Sequence, residues 1–176
     1  MKQWSLRIVL TAAVIAAGIW TWRTFFPNHE QLIRKRLNEV AQVASFSGNE
    51  APLMTVKNCQ KLASFCTPDV EITVEVRGHS QEKLSGREDL LQKAIAARSL
   101  AAGLTVEFLD INVTVAPDNK SAVANLTGKG RVAGESDFFV QELKFTLKRV
   151  EGEWLIYRVE TVKTLSRSQV GNPPAA

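Results

Sequence analysis

The spacing of apolar residues changes along this chain, and that change restricts the fold more than any other feature. Ahead of Leu104 the apolar positions mostly recur every three or four residues; beyond it they alternate, and turn residues divide the alternation into four runs. The first helical stretch runs from His29 to Phe46, with Ile33, Leu37, Val40, Ala41 and Ala44 on one stripe and Arg34, Lys35, Arg36 and Glu39 mostly outside it. Ser47-Gly48-Asn49-Glu50 breaks it. A second helix is expected from Pro52, tolerated in a first turn, to about Phe65, with Val56, Cys59, Leu62, Ala63 and Cys66 inward and Thr67-Pro68-Asp69 as its stop. Val70, Ile72, Val74 and Val76 then alternate with Glu71, Thr73, Glu75 and Arg77, the pattern of a strand with one wet face. Gly78 to Leu84 reads as a loop. Ser85-Gly86-Arg87-Glu88 has the capping-box spacing and opens a third helix carrying Leu91, Ala94, Ile95 and Arg98.

The four later runs are Thr105–Val115, Ala122–Val132, Phe138–Val150 and Trp154–Thr164. Pro117-Asp118-Asn119, Ala133-Gly134-Glu135-Ser136 and Glu151-Gly152-Glu153 separate them as turns. Helices first, one early strand, then a meander describe an α+β domain, not alternating parallel units. About 150 residues suffice for one domain with a real core. Its expected limits are residues 27–168, with a disordered tail over 169–176.

Residues 1–26 contain no acidic residue and read as a membrane anchor. Trp4 to Trp22 would extend roughly 28 Å as a helix, close to the thickness of a hydrocarbon core. Arg7 and Arg23 bracket the run, and Trp4, Trp20 and Trp22 suit the two interfacial belts. The rival reading is a cleaved signal peptide with Ala16-Ala17-Gly18 at its cleavage site. Continued apolar character through Phe26 favours the anchor. Lys2 and Arg7 oppose Arg23 and Arg34-Lys35-Arg36, so the positive-inside rule does not decide orientation. The signal-like start favours an exported domain, hence a single-pass protein of the inner (plasma) membrane with its domain on the periplasmic side.

Without residues 1–26 the chain holds 19 basic against 18 acidic residues, so the pI near 9.2 owes much to the anchor. No concentrated basic stripe exists, and nucleic acid is excluded as a partner. Cys59 and Cys66 would stand roughly 10 Å apart on one helix, beyond disulfide reach unless the chain bends before Cys66. Buried free thiols are the favoured reading. Neither His29 nor His79 has companions at metal-ligand spacing, and no metal or cofactor is expected.

The order of elements resembles the nuclear transport factor two-like superfamily, which includes SnoaL-like cyclases and ketosteroid isomerase. Three stretches carry the resemblance: Cys66-Thr67-Pro68-Asp69-Val70-Glu71-Ile72 as entry to the first strand, Ser85 to Leu91 as the start of the third helix, and Glu151-Gly152-Glu153-Trp154 as the terminal hairpin. It covers roughly residues 29 to 164. The resemblance implies a cone in which a curved antiparallel sheet wraps around about three helices and leaves an open pocket. An enzyme on this fold implies an Asp or His base facing into that cone.

The expected inner set of the first strand holds no acid or base, and Leu143, Phe145 and Leu147 are equally apolar. Asp110 with Asn112 is the best carboxylate–amide pair, although polar strand residues are usually just solvated. Two functions of different class therefore stand. One is a non-catalytic scaffold or accessory subunit of an envelope protein complex, with a protein partner or a homodimer docking on Glu71, Thr73, Glu75 and Arg77. The other is a tethered pocket for a small apolar ligand, with or without SnoaL-like chemistry, lined by Val74, Leu91, Ile95, Leu143 and Phe145 with Asp110 as its polar group.

Overall fold

A computed structural model describes residues 28–75, 82–135 and 138–165. The expected anchor with Trp4, Arg7, Trp20, Trp22 and Arg23 lies outside these residues, as do Arg77, His79 and the tail. Among the described residues no helix is long and apolar enough to cross a membrane.

Helix α1 spans His29–Ala44, and its first turn is capped by Asn28, whose Oδ1 accepts the Gln31 N–H at 3.2 Å. The stripe read from the sequence is the buried face: Ile33, Leu37, Val40 and Ala41. The helix stops two residues short of Phe46 because Ser45 turns extended. Its hydroxyl donates to the Ala41 carbonyl and accepts the Val106 N–H, both at 2.9 Å. Phe46–Ser47 then form a two-residue strand, β1, against Leu104 and Gly103.

Helix α2, Pro52–Ser64, begins on its proline as expected but buries only Cys59 and Ala63; Val56 is exposed. Cys66 is not on this helix. Phe65 ends it and offers its carbonyl to the Ile156 N–H at 2.9 Å, so the sheet captures the chain at once and β2 runs Cys66–Val74. Thr67-Pro68-Asp69 therefore belongs to a strand, not a stop. Pro68 is tolerated there because the pairing slips between Cys66 and Glu71. Strand β3, Glu82–Ser85, occupies part of the expected loop and pairs antiparallel with β2. Helix α3, Arg87–Leu100, takes Gly86 at φ 89° as its N-cap in place of Ser85. Asp89, not Glu88, reaches back, accepting the Ser85 N–H at 3.2 Å. A residue at such a φ is what glycine supplies without strain.

The remaining strands are β4 Gly103–Val115, β5 Ser121–Val132, β6 Phe139–Val150 and β7 Glu153–Leu165. The seven-stranded order is β1-β4-β5-β6-β7-β2-β3. The expected meander is present, but the sheet is not wholly antiparallel, because β2 lies parallel to β7. The Phe65–Ile156 hydrogen bond starts that seam, and the two strands leave it in the same direction.

Register shifts bend the sheet into a half-barrel. One lies between Leu109 and Asn112 of β4, where Asp110 takes φ 52°, and two lie opposite β7. Such bulges increase local twist. Ile33 and Leu37 of α1 belong to one core cluster within the curl, together with Val113, Ala124, Leu147 and Ile156. Each large apolar side chain so buried contributes about 1.5–3 kcal/mol before entropy is counted.

The half-barrel has two unlike ends. At one, the β4–β5 and β6–β7 turns sit side by side, the Arg149 N–H donating to the Lys120 carbonyl at 2.8 Å. The first turn of α1 lies against them through His29 and Trp154. At the other end α1 finishes beside Val106, and the concave side chains are only partly covered.

Candidate functional site

Strand alternation decides what the hollow contains. On β4 the side that carries buried Val113 also carries Leu104, Val106 and Phe108; on β6 the side of Phe145 carries Phe139, Gln141 and Leu143. Between them β5 contributes Gly128 and Gly130, which pair with Phe108 and Val106 on one flank and with Gln141 and Phe139 on the other. The two glycines are required by close approach. A Cβ on Gly128 would stand 2.8 Å from Leu143 Cδ1, and the Phe139 ring fills the space a Cβ on Gly130 would need. None of these side chains is ionisable. Thr161 and Gln141 are occupied in holding the end of β2: Thr161 Oγ1 accepts the Glu75 N–H at 3.2 Å, and the Gln141 amide donates to the Glu75 carbonyl.

Of the pocket residues named from the sequence, Val74 and Leu143 are half-buried and pack against the core. Leu91 and Ile95 are half-buried on α3. Phe145 is inside the core at 4 % exposure, its ring edge-to-face with Phe108 at 5.5 Å between centroids. Asp110 is elsewhere. It is exposed on the β4 bulge, and it borders a shallow hollow of about 310 Å³ with Asn112, Asn125, Thr127, Glu142 and Val162. The exposed ones among these neighbours alternate with the buried positions, while Leu126 and Leu143 of the inner side also border the hollow at the bulge. General acid–base work needs a carboxyl within hydrogen-bond reach of a sheltered substrate. Asp110 has no such shelter.

Of the interaction-face residues, Glu71 is engaged within the sheet. Glu71 receives both Arg158 Nη2 at 2.6 Å and Nε at 3.0 Å, a forked pair at the β2–β7 seam. The pairing raises the Arg158 pKa, through the hydrogen bond first and the Glu71 charge second. Thr73 sits two residues further along the same convex face. Both cysteines are free and buried, and burial holds both thiols above the usual range, Cys66 at about 11. They are poor nucleophiles at neutral pH. Among the described residues no group of three His, Cys, Asp or Glu side chains is placed to hold a metal.

An ion pair with a buried guanidinium is only faintly legible in the residue pattern. The Arg98 side chain is 4 % exposed, with Nη1 2.7 Å from Glu50 Oε2. Its Nη2 donates to the Val43 carbonyl near the end of α1, and its guanidinium stacks over Phe46 at 4.8 Å. Asn58 donates to the other Glu50 oxygen at 3.0 Å. The cluster ties the end of α1 and the loop before α2 to α2 and α3, and Phe46, under the guanidinium, is the strand partner of Leu104 at the rim of the hollow. The place of Arg98 on the inner stripe of α3, among Leu91, Ala94 and Ile95, was the available clue.

His29 offers a handle at the opposite end. Its Nδ1 accepts the Trp154 indole N–H at 3.4 Å, and the rings meet edge-on at 5.7 Å. Burial first, and the Arg149 charge second, hold its pKa below the ordinary 6.5. The unfolded chain therefore takes up this proton at higher pH than the folded one, so the contribution to stability is present above about pH 6.5 and is lost as pH falls toward the native value. Melting temperature measured from about pH 7.5 down to pH 5 should fall less steeply in His29→Gln than in the parent chain.

Comparison with solved structures places this geometry. A candidate scytalone dehydratase from Novosphingobium aromaticivorans matches with TM-score 0.54 at 15 % identity, over 81 % of this chain and 91 % of its own. An NTF2-like protein of unknown function from Pseudomonas putida KT2440 matches with TM-score 0.58 at 11 % identity, over 77 % and 87 %. A candidate calcium/calmodulin-dependent protein kinase II association domain from Xanthomonas campestris matches with TM-score 0.50 at 18 % identity, over 61 % and 75 %. No protein-family model matches the chain. No curated protein matches it in sequence. At these identities the likeness is one of fold, and the fold is that of NTF2-like proteins.

Proposed function

We propose that this chain is a membrane-tethered, non-catalytic binding module, an accessory or scaffold subunit of an envelope protein complex, with residues 1–26 as its single span and residues 27–168 as its periplasmic domain. The observation that carries the reading is the ring of Leu104, Val106, Phe108, Phe139, Gln141 and Leu143 at the open end, which offers apolar surface and no ionisable group. Surface of that kind binds; it does not move protons. The candidate scytalone dehydratase among the neighbours places enzymatic chemistry on the same fold. Here a base is missing from the described ring, and Asp110 is exposed on the β4 bulge.

A protein partner is supported by apolar side chains on the helical side, where Leu53 is 80 % and Leu100 89 % exposed. An association domain among the neighbours points the same way. The test is purification of the detergent-solubilised full chain with chemical crosslinking and mass measurement. A defined homodimer or a stoichiometric partner is expected. A strict monomer that crosslinks to nothing overturns the scaffold reading. The second reading, a small apolar ligand in the hollow, rests on the incomplete burial of Phe108, Leu143 and Phe139. Native mass spectrometry of the same sample distinguishes it by a retained small mass.

A further inference from the structure

The point at which the expected anchor joins the domain fixes which end of the half-barrel meets the bilayer. Asn28 caps α1 directly, so Phe26 lies only three residues before His29, about 10 Å of chain at full extension. Helix α1 cannot swing to relax this. Ile33 and Leu37 are fully buried, and His29 is held on Trp154. The tie between Arg149 and Lys120 puts both meander turns at the same end. That end also exposes Leu32 at 48 % and Val150 at 43 %. Its basic side chains Lys35, Arg36, Lys120, Lys148 and Arg149 are nearly matched by Glu30, Asp118, Glu151 and Glu153, with Arg36 and Glu153 paired at 3.0 Å. The surface is thus close to neutral and suits phospholipid headgroups in general, without a strong demand for anionic lipid.

We propose that the turn end of the domain, led by Leu32, Val150 and the β4–β5 and β6–β7 turns, rests on the phospholipid headgroups and turns the open end of the hollow toward the aqueous phase. The 16 residues of α1 separate the two ends by about 24 Å. The hollow's occupant then arrives from water, not sideways from the bilayer. This rests on the anchor reading above, and the experiment separates the two.

Val150→Cys and Leu100→Cys place single reporters on exposed sites at opposite ends, while Cys59 and Cys66 are buried. The full chain of each variant, labelled with a fluorophore, is first tested for resistance to alkaline extraction from membranes. It is then reconstituted in phosphatidylcholine–phosphatidylglycerol nanodiscs containing a headgroup-nitroxide lipid. Several-fold stronger quenching at position 150 than at 100, persisting when salt is raised, is the expected result. Equal or reversed quenching in chains that resist extraction overturns the docking proposal alone. Release by alkaline extraction overturns the anchor and the docking together.

Discussion

Arg98→Ala should lower the unfolding free energy by about 2–3 kcal/mol, because it takes the buried guanidinium away from the half-buried Glu50 carboxylate. The loss has three physical parts. Glu50 loses a 2.7 Å ion pair, the Val43 carbonyl loses a donor near the end of α1, and the Phe46 ring loses its stacked guanidinium. A planar fork makes all three contacts at once, so Arg98→Lys should recover less than half of the loss. The double variant Glu50→Gln/Arg98→Met removes both charges and fills similar volume, and should be markedly more stable than Arg98→Ala. Urea denaturation of the three variants checks the order. If Arg98→Ala costs under about 1 kcal/mol, the pair is no more than a surface contact.

Leu37→Ala should cost about 3 kcal/mol. The side chain is 0 % exposed in the middle of α1, and its loss leaves a cavity that a packed half-barrel cannot close. Leu53→Ala is the control, since Leu53 is 80 % exposed and the same truncation there should change stability by less than about 0.5 kcal/mol. Hydrogen exchange should show the α1 amides opening first in Leu37→Ala, with the β5–β6 ladder still protected. Uniform loss of protection would mean that α1 is inseparable from the sheet's own cooperativity.

The elements that could be read from residues alone were those whose local pattern and tertiary fate agree. The α1 stripe is one: Ile33, Leu37, Val40 and Ala41 have a period of about 3.6, and all four are buried. The meander is another, since β4 to β7 alternate and each is closed by turn residues. Where long-range pairing overrode local signals, the reading went astray. Thr67-Pro68-Asp69 looks like a stop, yet the Phe65 carbonyl finds Ile156 far along the chain and holds the segment in the sheet. Lys83 and Leu84 show no alternation worth naming, and β3 exists because β2 offers it an edge.

The hollow was legible in the same uneven way. Its apolar character follows from alternation in β6, whereas Gly128 and Gly130 gave no hint that Leu143 and Phe139 fold over them. Asp110 and Asn112 do border one hollow, as their spacing suggested, but spacing did not show how exposed that hollow is. A bulge adds a residue and breaks strict alternation, so spacing by two does not fix what such a carboxyl faces.

The β2–β7 seam has a consequence for how the chain is made. Glu71 and Arg158 are 87 positions apart, so at roughly 5–20 residues per second β2 waits about 4–17 seconds on the ribosome for its neighbour. Throughout that interval Val70 and the oily stripe of the first helix lack the strands that later shield them. Protection of the unfinished chain by a chaperone should matter most in this window, and it should end abruptly once the last strand reaches the compartment where the domain folds.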